Sequence, residues 1–184
     1  MEKNAKFDTK TLTTCALLVA MQVILARFVA ISISETTRIS FEAIPIFLAG
    51  MLFGPVAGVL VGFISDFIGA IMSYGFNPVF CIPPILYGLC GGLFRPMIRR
   101  SGSILQIALA FLPAVVLGSI LYQSCALAWV YGGDAKQTYL MTKLVWRGVQ
   151  FGITYVVDVL IIYGLCKSNL FQLIGLWQKK GASI

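Results

Sequence analysis

The 184-residue chain has no histidine, only 7 acidic residues against 14 basic ones, and 11% charged residues in all, less than half the charged share of a typical soluble domain. Without histidine, zinc-protease spacings and Ser/His or Cys/His nucleophile pairs cannot be assembled. No Walker A sequence and no convincing Ser/Lys pair is present, so neither ATP hydrolysis nor familiar intramembrane proteolysis has its parts, and the chain is read as a non-enzyme. Any transport it serves must be energised from elsewhere. Cys15, Cys81, Cys90, Cys125 and Cys166 are scattered, odd in number and without paired metal-ligand spacing, which favours small buried side chains over disulfides or metal. No metal and no cofactor is expected.

What is abundant is apolar surface: 59% of residues are hydrophobic and the mean hydropathy is +0.90. Apolar segments run from Leu12 to Ile31, Ile39 to Phe53, Val56 to Met72, Val79 to Ile98, Ile104 to Val130 and Tyr139 to Cys166. No stretch is left for a soluble domain. The expected fold is an all-α integral membrane protein of six transmembrane helices, one domain over 1–184 with short tails at about 1–10 and 168–184. The first segment contains Gln22 and Arg27 and is followed by five more, unlike a cleavable signal.

The formal net charge of +7 reports topology rather than nucleic-acid binding. Lys3, Lys6 and Lys10 precede segment one, Arg95, Arg99 and Arg100 follow segment four, and Lys167, Lys179 and Lys180 follow segment six. If all six segments cross, these lie on one side, which the positive-inside rule makes cytoplasmic, together with both termini. Arg38, Lys136 and Lys143 then fall outside. Segment two is short for a crossing, but a re-entrant segment would place the Arg95 cluster outside, so the charge pattern predicts that it spans.

Gly54-Pro55 predicts a tight turn, after which Gly54, Gly58 and Gly62 recur every four residues as a helix-packing face that leads into Asp66. Loops are expected over Ser32 to Ser40, with Glu35 and Arg38, and over Ser73 to Val79, where Gly75, Phe76, Asn77 and Pro78 suggest a shaped turn.

The most informative pattern is in segment six. Lys143, Arg147, Gln150, Thr154 and Asp158 recur at steps of four, three, four and four, placing them on one helix face. A charge at mid-membrane costs about 2.5 to 3.5 kcal/mol on insertion scales, so this face must meet protein, water or a ligand. Counted at 1.5 Å per residue, Lys143 lies about 6 Å and Arg147 about 12 Å below the outer boundary, with Gln150 at mid-depth. Arg27 reaches the outer boundary of segment one, and Asp66 sits near the middle of segment three. Three cations thus face one acid, which points to an anionic ligand, gripped by two-pronged arginine and by lysine as a point charge. A structural Arg147–Asp66 pair is the bland alternative. Trp129 and Trp146 share the outer zone with Tyr122, Phe76 and Phe80, where flat aromatic faces suit a flat heterocycle, although an interfacial belt explains either tryptophan equally well. Asp158 comes near the inner boundary and is read as a packing or cytoplasmic-surface residue.

The block Arg38 to Ala70, RISFEAIPIFLAGMLFGPVAGVLVGFISDFIGA, resembles the substrate-binding S components of energy-coupling factor vitamin transporters, most of all their folate-specific branch. Ile44-Pro45 through Gly54-Pro55 into Asp66 carries most of it, followed by Asn77-Pro78 and Tyr87-Gly88-Leu89. The resemblance implies a high-affinity receptor in a bacterial cell membrane that takes vitamin from the outside. Its implied partners are a transmembrane T component and two cytoplasmic ATPases, with the receptor toppling in the membrane to release ligand inward. Cys15-Ala16-Leu17-Leu18-Val19-Ala20 corresponds to the family's AAxxxA contact motif, with cysteine in place of the first alanine, so Ala16 and Ala20 are the implied partner interface. The implied external gates carry Arg38 and Phe76.

Folate agrees with the charge pattern, having two carboxylates and a flat pteridine. Arg27, Lys143 and Arg147 are accordingly expected at anionic groups, Trp129, Trp146, Tyr122 and Phe80 at the ring, and Asn77 and Gln150 in polar recognition. Three other readings stay open: an S component for another carboxylate-bearing vitamin such as pantothenate, a small membrane enzyme acting on an anionic lipid, and a scaffold subunit whose stripe only pairs helices.

Overall fold

The structure is a computed structural model that describes residues 8–34, 37–73, 77–131, 133 and 136–168. Lys3, Lys6, Lys179 and Lys180, with Glu35 and Phe76 of the two loops, lie outside the described residues.

The first helix, α1 (Thr9–Arg27), is peripheral: Leu18, Gln22 and Ala26 at steps of four turn inward, while Leu12, Leu17 and Ile24 are exposed. A short antiparallel hairpin follows, β1 (Ile31–Ser34) with β2 (Thr37–Ile39), pairing Ile31 with Ile39 and Ser32 with Arg38. The chain then enters α2 (Ala43–Phe53), in which every residue from Ala43 to Leu52 is buried. Eleven residues span about 16 Å, half of a hydrocarbon core of about 30 Å. Segment two, expected as helix from Ile39 to Phe53, is therefore corrected: its outer end is hairpin and loop.

At Gly54 the backbone takes φ 105°, a region that glycine alone enters without strain, and Pro55 opens α3 (Pro55–Ser73) at the first helical position. The expected Gly54-Pro55 turn is present. A 3-10 turn (Pro78–Cys81), started by Asn77, feeds α4 (Ile82–Leu93), and the short α5 (Arg95–Ser101) ends at left-handed Gly102. One apolar rod then comprises α6 (Ile104–Pro113), a π-helical stretch (Ala114–Tyr122) and α7 (Gln123–Tyr131). The final helix, α8 (Lys136–Lys167), is 32 residues long. Among the described residues, four stretches are long and apolar enough to cross a membrane, namely Thr9–Arg27, Pro55–Met72, Ile104–Val130 and Lys136–Lys167. Ala43–Phe53 and Pro78–Leu93 are shorter.

The buried α2 stands at the centre, against α1, α3, α4 and α8. Its packing on α3 and α4 is backbone to backbone. A Cβ placed on Gly58 would strike the Gly88 carbonyl, one on Gly88 would strike the Gly58 carbonyl, and one on Gly50 would also meet Gly88. Gly62 meets Pro84 in the same way, so the expected glycine face of α3 packs on α4. On the other side of α2, Phe47 meets Phe111 edge to face at 5.1 Å, and Tyr87 and Tyr155 flank Phe111 at 5.3 and 6.0 Å.

By contrast, a Cβ on Gly148 of α8 would meet nothing within 4 Å. Gly58→Ala should therefore destabilise the protein by about 2 kcal/mol or more, because α3 and α4 must separate, whereas Gly148→Ala should be neutral or slightly stabilising. Thermal unfolding in detergent compares the two, and equal melting temperatures would show that the glycine contact does not limit stability.

Candidate functional site

In α8 the polar stripe is turned into the bundle. Arg147, Gln150, Thr154 and Asp158 are 6%, 9%, 5% and 2% exposed, while Val145, Val149, Ile153 and Val156 on the opposite face are each more than half exposed. An apolar surroundings leaves the helix no other rotation, since polar groups facing lipid lack partners and apolar ones do not need them. Thr154 satisfies its own hydroxyl by donating to the Gln150 carbonyl at 3.0 Å. Lys143 shares the helix face by register.

Arg147 is held by the π-helical stretch. Its Nε donates to the Ser119 carbonyl at 3.2 Å, its Nη2 donates to Gln123 Oε1 at 2.7 Å, and its guanidinium lies 5.0 Å from the centre of the Phe151 ring. Pro113 accounts for the location: it brings no N–H, and the backbone beyond it winds into wider turns. The Ser119 hydroxyl in turn shares a 2.7 Å hydrogen bond with the Tyr87 hydroxyl, tying α4 to the same network. These contacts fix the guanidinium's orientation with neutral acceptors, in an environment where a planar, always-charged group is suited to an anion.

The inner end of the stripe is acidic. Asp158 is within electrostatic reach of Glu42, at the start of α2, and the Tyr87 hydroxyl lies within reach of both acids and of Arg147. Oδ1 of Asp158 has no hydrogen-bond partner among the described residues. Of the two roles expected for Asp158, helix packing or a cytoplasmic surface, its burial agrees with the first.

The other expected residues divide by side of the bundle. Arg27 lies over α3, its Nη2 2.9 Å from where a Gly69 Cβ would stand, one turn beyond Asp66. Asp66 is itself within hydrogen-bonding reach of the Cys81 thiol. Arg27 therefore sits on the α1–α3 side and Arg147 on the α7–α8 side. Asn77 uses Oδ1 to accept from the Val79 N–H at 3.2 Å, shaping the 3-10 turn in which Phe80 is half-buried. Tyr122 is half-buried at the end of the π-helical stretch. Trp129 and Trp146 are 73% and 66% exposed, so they face away from the bundle, as an interfacial belt does and a ring pocket does not. Arg38 is in β2, opposite Ser32, and Ala16 and Ala20 are exposed on α1.

Sequence reasoning did not single out Ser119, Gln123 or Glu42. Pro113 followed by Gly118 within a long apolar run was the available signal for the irregular helix. Among the described residues no group of three or more His, Cys, Asp or Glu is arranged to hold a metal ion.

A sequence profile of the family described as ECF-type riboflavin transporter, S component, matches residues 6–167. The folate transporter FolT of Clostridium novyi (strain NT) is 26% identical over 154 residues, covering 83% of this chain and 85% of that protein. The crystal structure of FolT bound with folic acid superimposes with a TM-score of 0.75 at 26% identity, over 88% of this chain and 96% of that one. The S-component for biotin from an ECF-type ABC transporter shares the fold, with a TM-score of 0.57 at 21% identity over 95% and 99% of the two chains.

If the π-helical stretch positions Arg147, its partner residue should couple to it energetically. A double-mutant cycle with Arg147→Gln and Gln123→Leu should give about 1 kcal/mol of coupling, within the range for buried hydrogen bonds in membrane bundles. The same cycle with outward-facing Trp146→Phe should give about zero. Equal coupling in the two unfolding series would remove Gln123 from the role.

Proposed function

The chain belongs to the S-component family of ECF-type transporters, and on that premise we propose that it captures folate at the outer face of the membrane for uptake. It is a multi-pass membrane protein and a transport component rather than an enzyme. The observation that carries the ligand is the buried polar face of α8, with Arg147 oriented by Ser119 and Gln123. The two FolT relatives support the same ligand.

In this reading Arg147 receives a carboxylate of the glutamate tail, Lys143 lies one turn above it, and Arg27 adds positive charge from the α1–α3 side. Gln150 and Asn77 supply amide recognition, and Phe80 and Tyr122 supply ring contacts. Trp129 and Trp146 are assigned to the interfacial belt. The loops that carry Arg38 and Phe76 gate the site. The single domain crosses the bacterial cell membrane six times with both termini in the cytoplasm, the shorter α2 and α4 crossing as parts of longer irregular segments. Ala16 and Ala20 form the contact with the T component, which works with two ATPases.

A second reading follows from the family's description, which names riboflavin. Riboflavin is flat but has no carboxylate, so it gives Arg147 no anion to hold. Titration of the purified protein with folate, riboflavin and pantothenate separates the ligands. Tight, stoichiometric binding of folate without turnover is expected, and Arg147→Gln should weaken it by about 10- to 100-fold, the worth of one charge-assisted pair. Tight riboflavin or pantothenate binding with no folate binding would overturn the assignment.

A further inference from the structure

The acidic inner end of the α8 stripe is unused by the charge argument for a carboxylate ligand, and its chemistry is the opposite of Arg147's. Asp158 is 2% exposed and its Oδ1 has no hydrogen-bond partner among the described residues. A buried carboxyl oxygen in an apolar bundle ordinarily ends on a donor or a cation, because leaving it without one forfeits its hydration for nothing. Here the nearest charged side chain from the packed element α2 is Glu42, a second acid. The buried Asp158 oxygen, with a second acid within electrostatic reach, is an acceptor site for an N–H donor.

The position relative to Arg147 is equally specific. Eleven residues separate Arg147 from Asp158, which is about three helical turns, so the two project from nearly the same azimuth of α8 about 16 Å apart along its axis. Gln150 and Thr154 lie between them on the buried face, and the Tyr87 hydroxyl is within electrostatic reach of both ends. The wall is thus bipolar: a cation at its outer end and paired acids at its inner end.

We infer that Asp158, with Glu42 beside it, is the specificity-determining end of the binding site and accepts hydrogen bonds from the N–H edge of a flat heterocycle inserted ring first. This rests on the reading of the protein as a folate receptor and sets the direction in which the ligand lies. Folate has carboxylates at one end and, at the other, a ring whose 2-amino group and neighbouring ring N–H form a two-donor edge. A carboxylate takes such an edge in two parallel hydrogen bonds, the same geometry by which it takes arginine. A site built to bond a donor discriminates strongly against an analogue that lacks it, because the buried acceptor is then left unpaired.

The test is a comparison of folate with 2-desamino folate, from which the 2-amino group has been removed. Wild-type protein should prefer folate by about 100-fold, and Asp158→Asn, which replaces one acceptor oxygen by a donor, should reduce that preference to about 10-fold or less. Glu42→Gln should reduce it in the same direction. Each preference is a ratio measured within one protein, so a partial loss of folded material does not imitate the effect. Wild-type protein that binds folate but takes both ligands equally overturns the inference without any variant and leaves the folate assignment standing. An undiminished preference in Asp158→Asn does the same. Wild-type protein that binds no folate overturns the assignment itself, and the inference with it.

Discussion

Lipid offers no hydrogen bonds, and that constraint sets the rotation of α8 and through it the interior of the bundle. A 32-residue helix with one polar face has a single acceptable orientation in an apolar medium: Arg147, Gln150, Thr154 and Asp158 inward, Val145, Val149 and Ile153 outward. Once α8 is so turned, the elements opposite must supply acceptors at one height and tolerate acid at another. The π-helical stretch does the first, through the Ser119 carbonyl and Gln123. At the other height, the start of α2 brings a second acid, Glu42, within electrostatic reach of Asp158.

The glycine contact among α2, α3 and α4 seems remote from this chemistry only along the chain. Gly58 and Gly88 allow α3 and α4 to touch through their backbones, and Tyr87 is the residue beside Gly88. Its hydroxyl reaches Ser119 at 2.7 Å, and the same serine's carbonyl holds Arg147. A side chain that forced α4 outward would shift the tyrosine and with it the group that orients the guanidinium. Packing on small residues, which in membranes substitutes for a hydrophobic driving force, here also sets the site's geometry.

Much of this was legible in the residues, for a physical reason. Steps of three and four on an apolar helix are a direct statement about which face meets lipid, so burial of Arg147, Gln150, Thr154 and Asp158 followed from spacing alone. The Gly54-Pro55 turn and the Gly58–Gly62 packing face were legible in the same way, because each depends on a local property of glycine. Three features were not. Trp129 and Trp146 share their height with the site but not its direction, and depth counting along a helix contains no azimuth across helices. Ser119 acts through its backbone carbonyl, which no side-chain pattern announces. The length of α2 was misjudged because hydropathy continues through Ile39 and Phe41 whether the backbone there is helix or hairpin.

That last difference bears most on function. α2 is eleven residues long and buried from Ala43 to Leu52, and Glu42 at its start stands within electrostatic reach of Asp158. The hairpin before it occupies the outer space that the missing helical turns would fill, and β2 rests against α8 there. The start of α2 therefore does two things at once: it follows a hairpin that rests against α8, and it sets an acid near the end of the stripe opposite Arg147. In the inferred orientation an elongated ligand enters in one direction only, because the reversed molecule would set its carboxylates against the two acids instead of against Arg147.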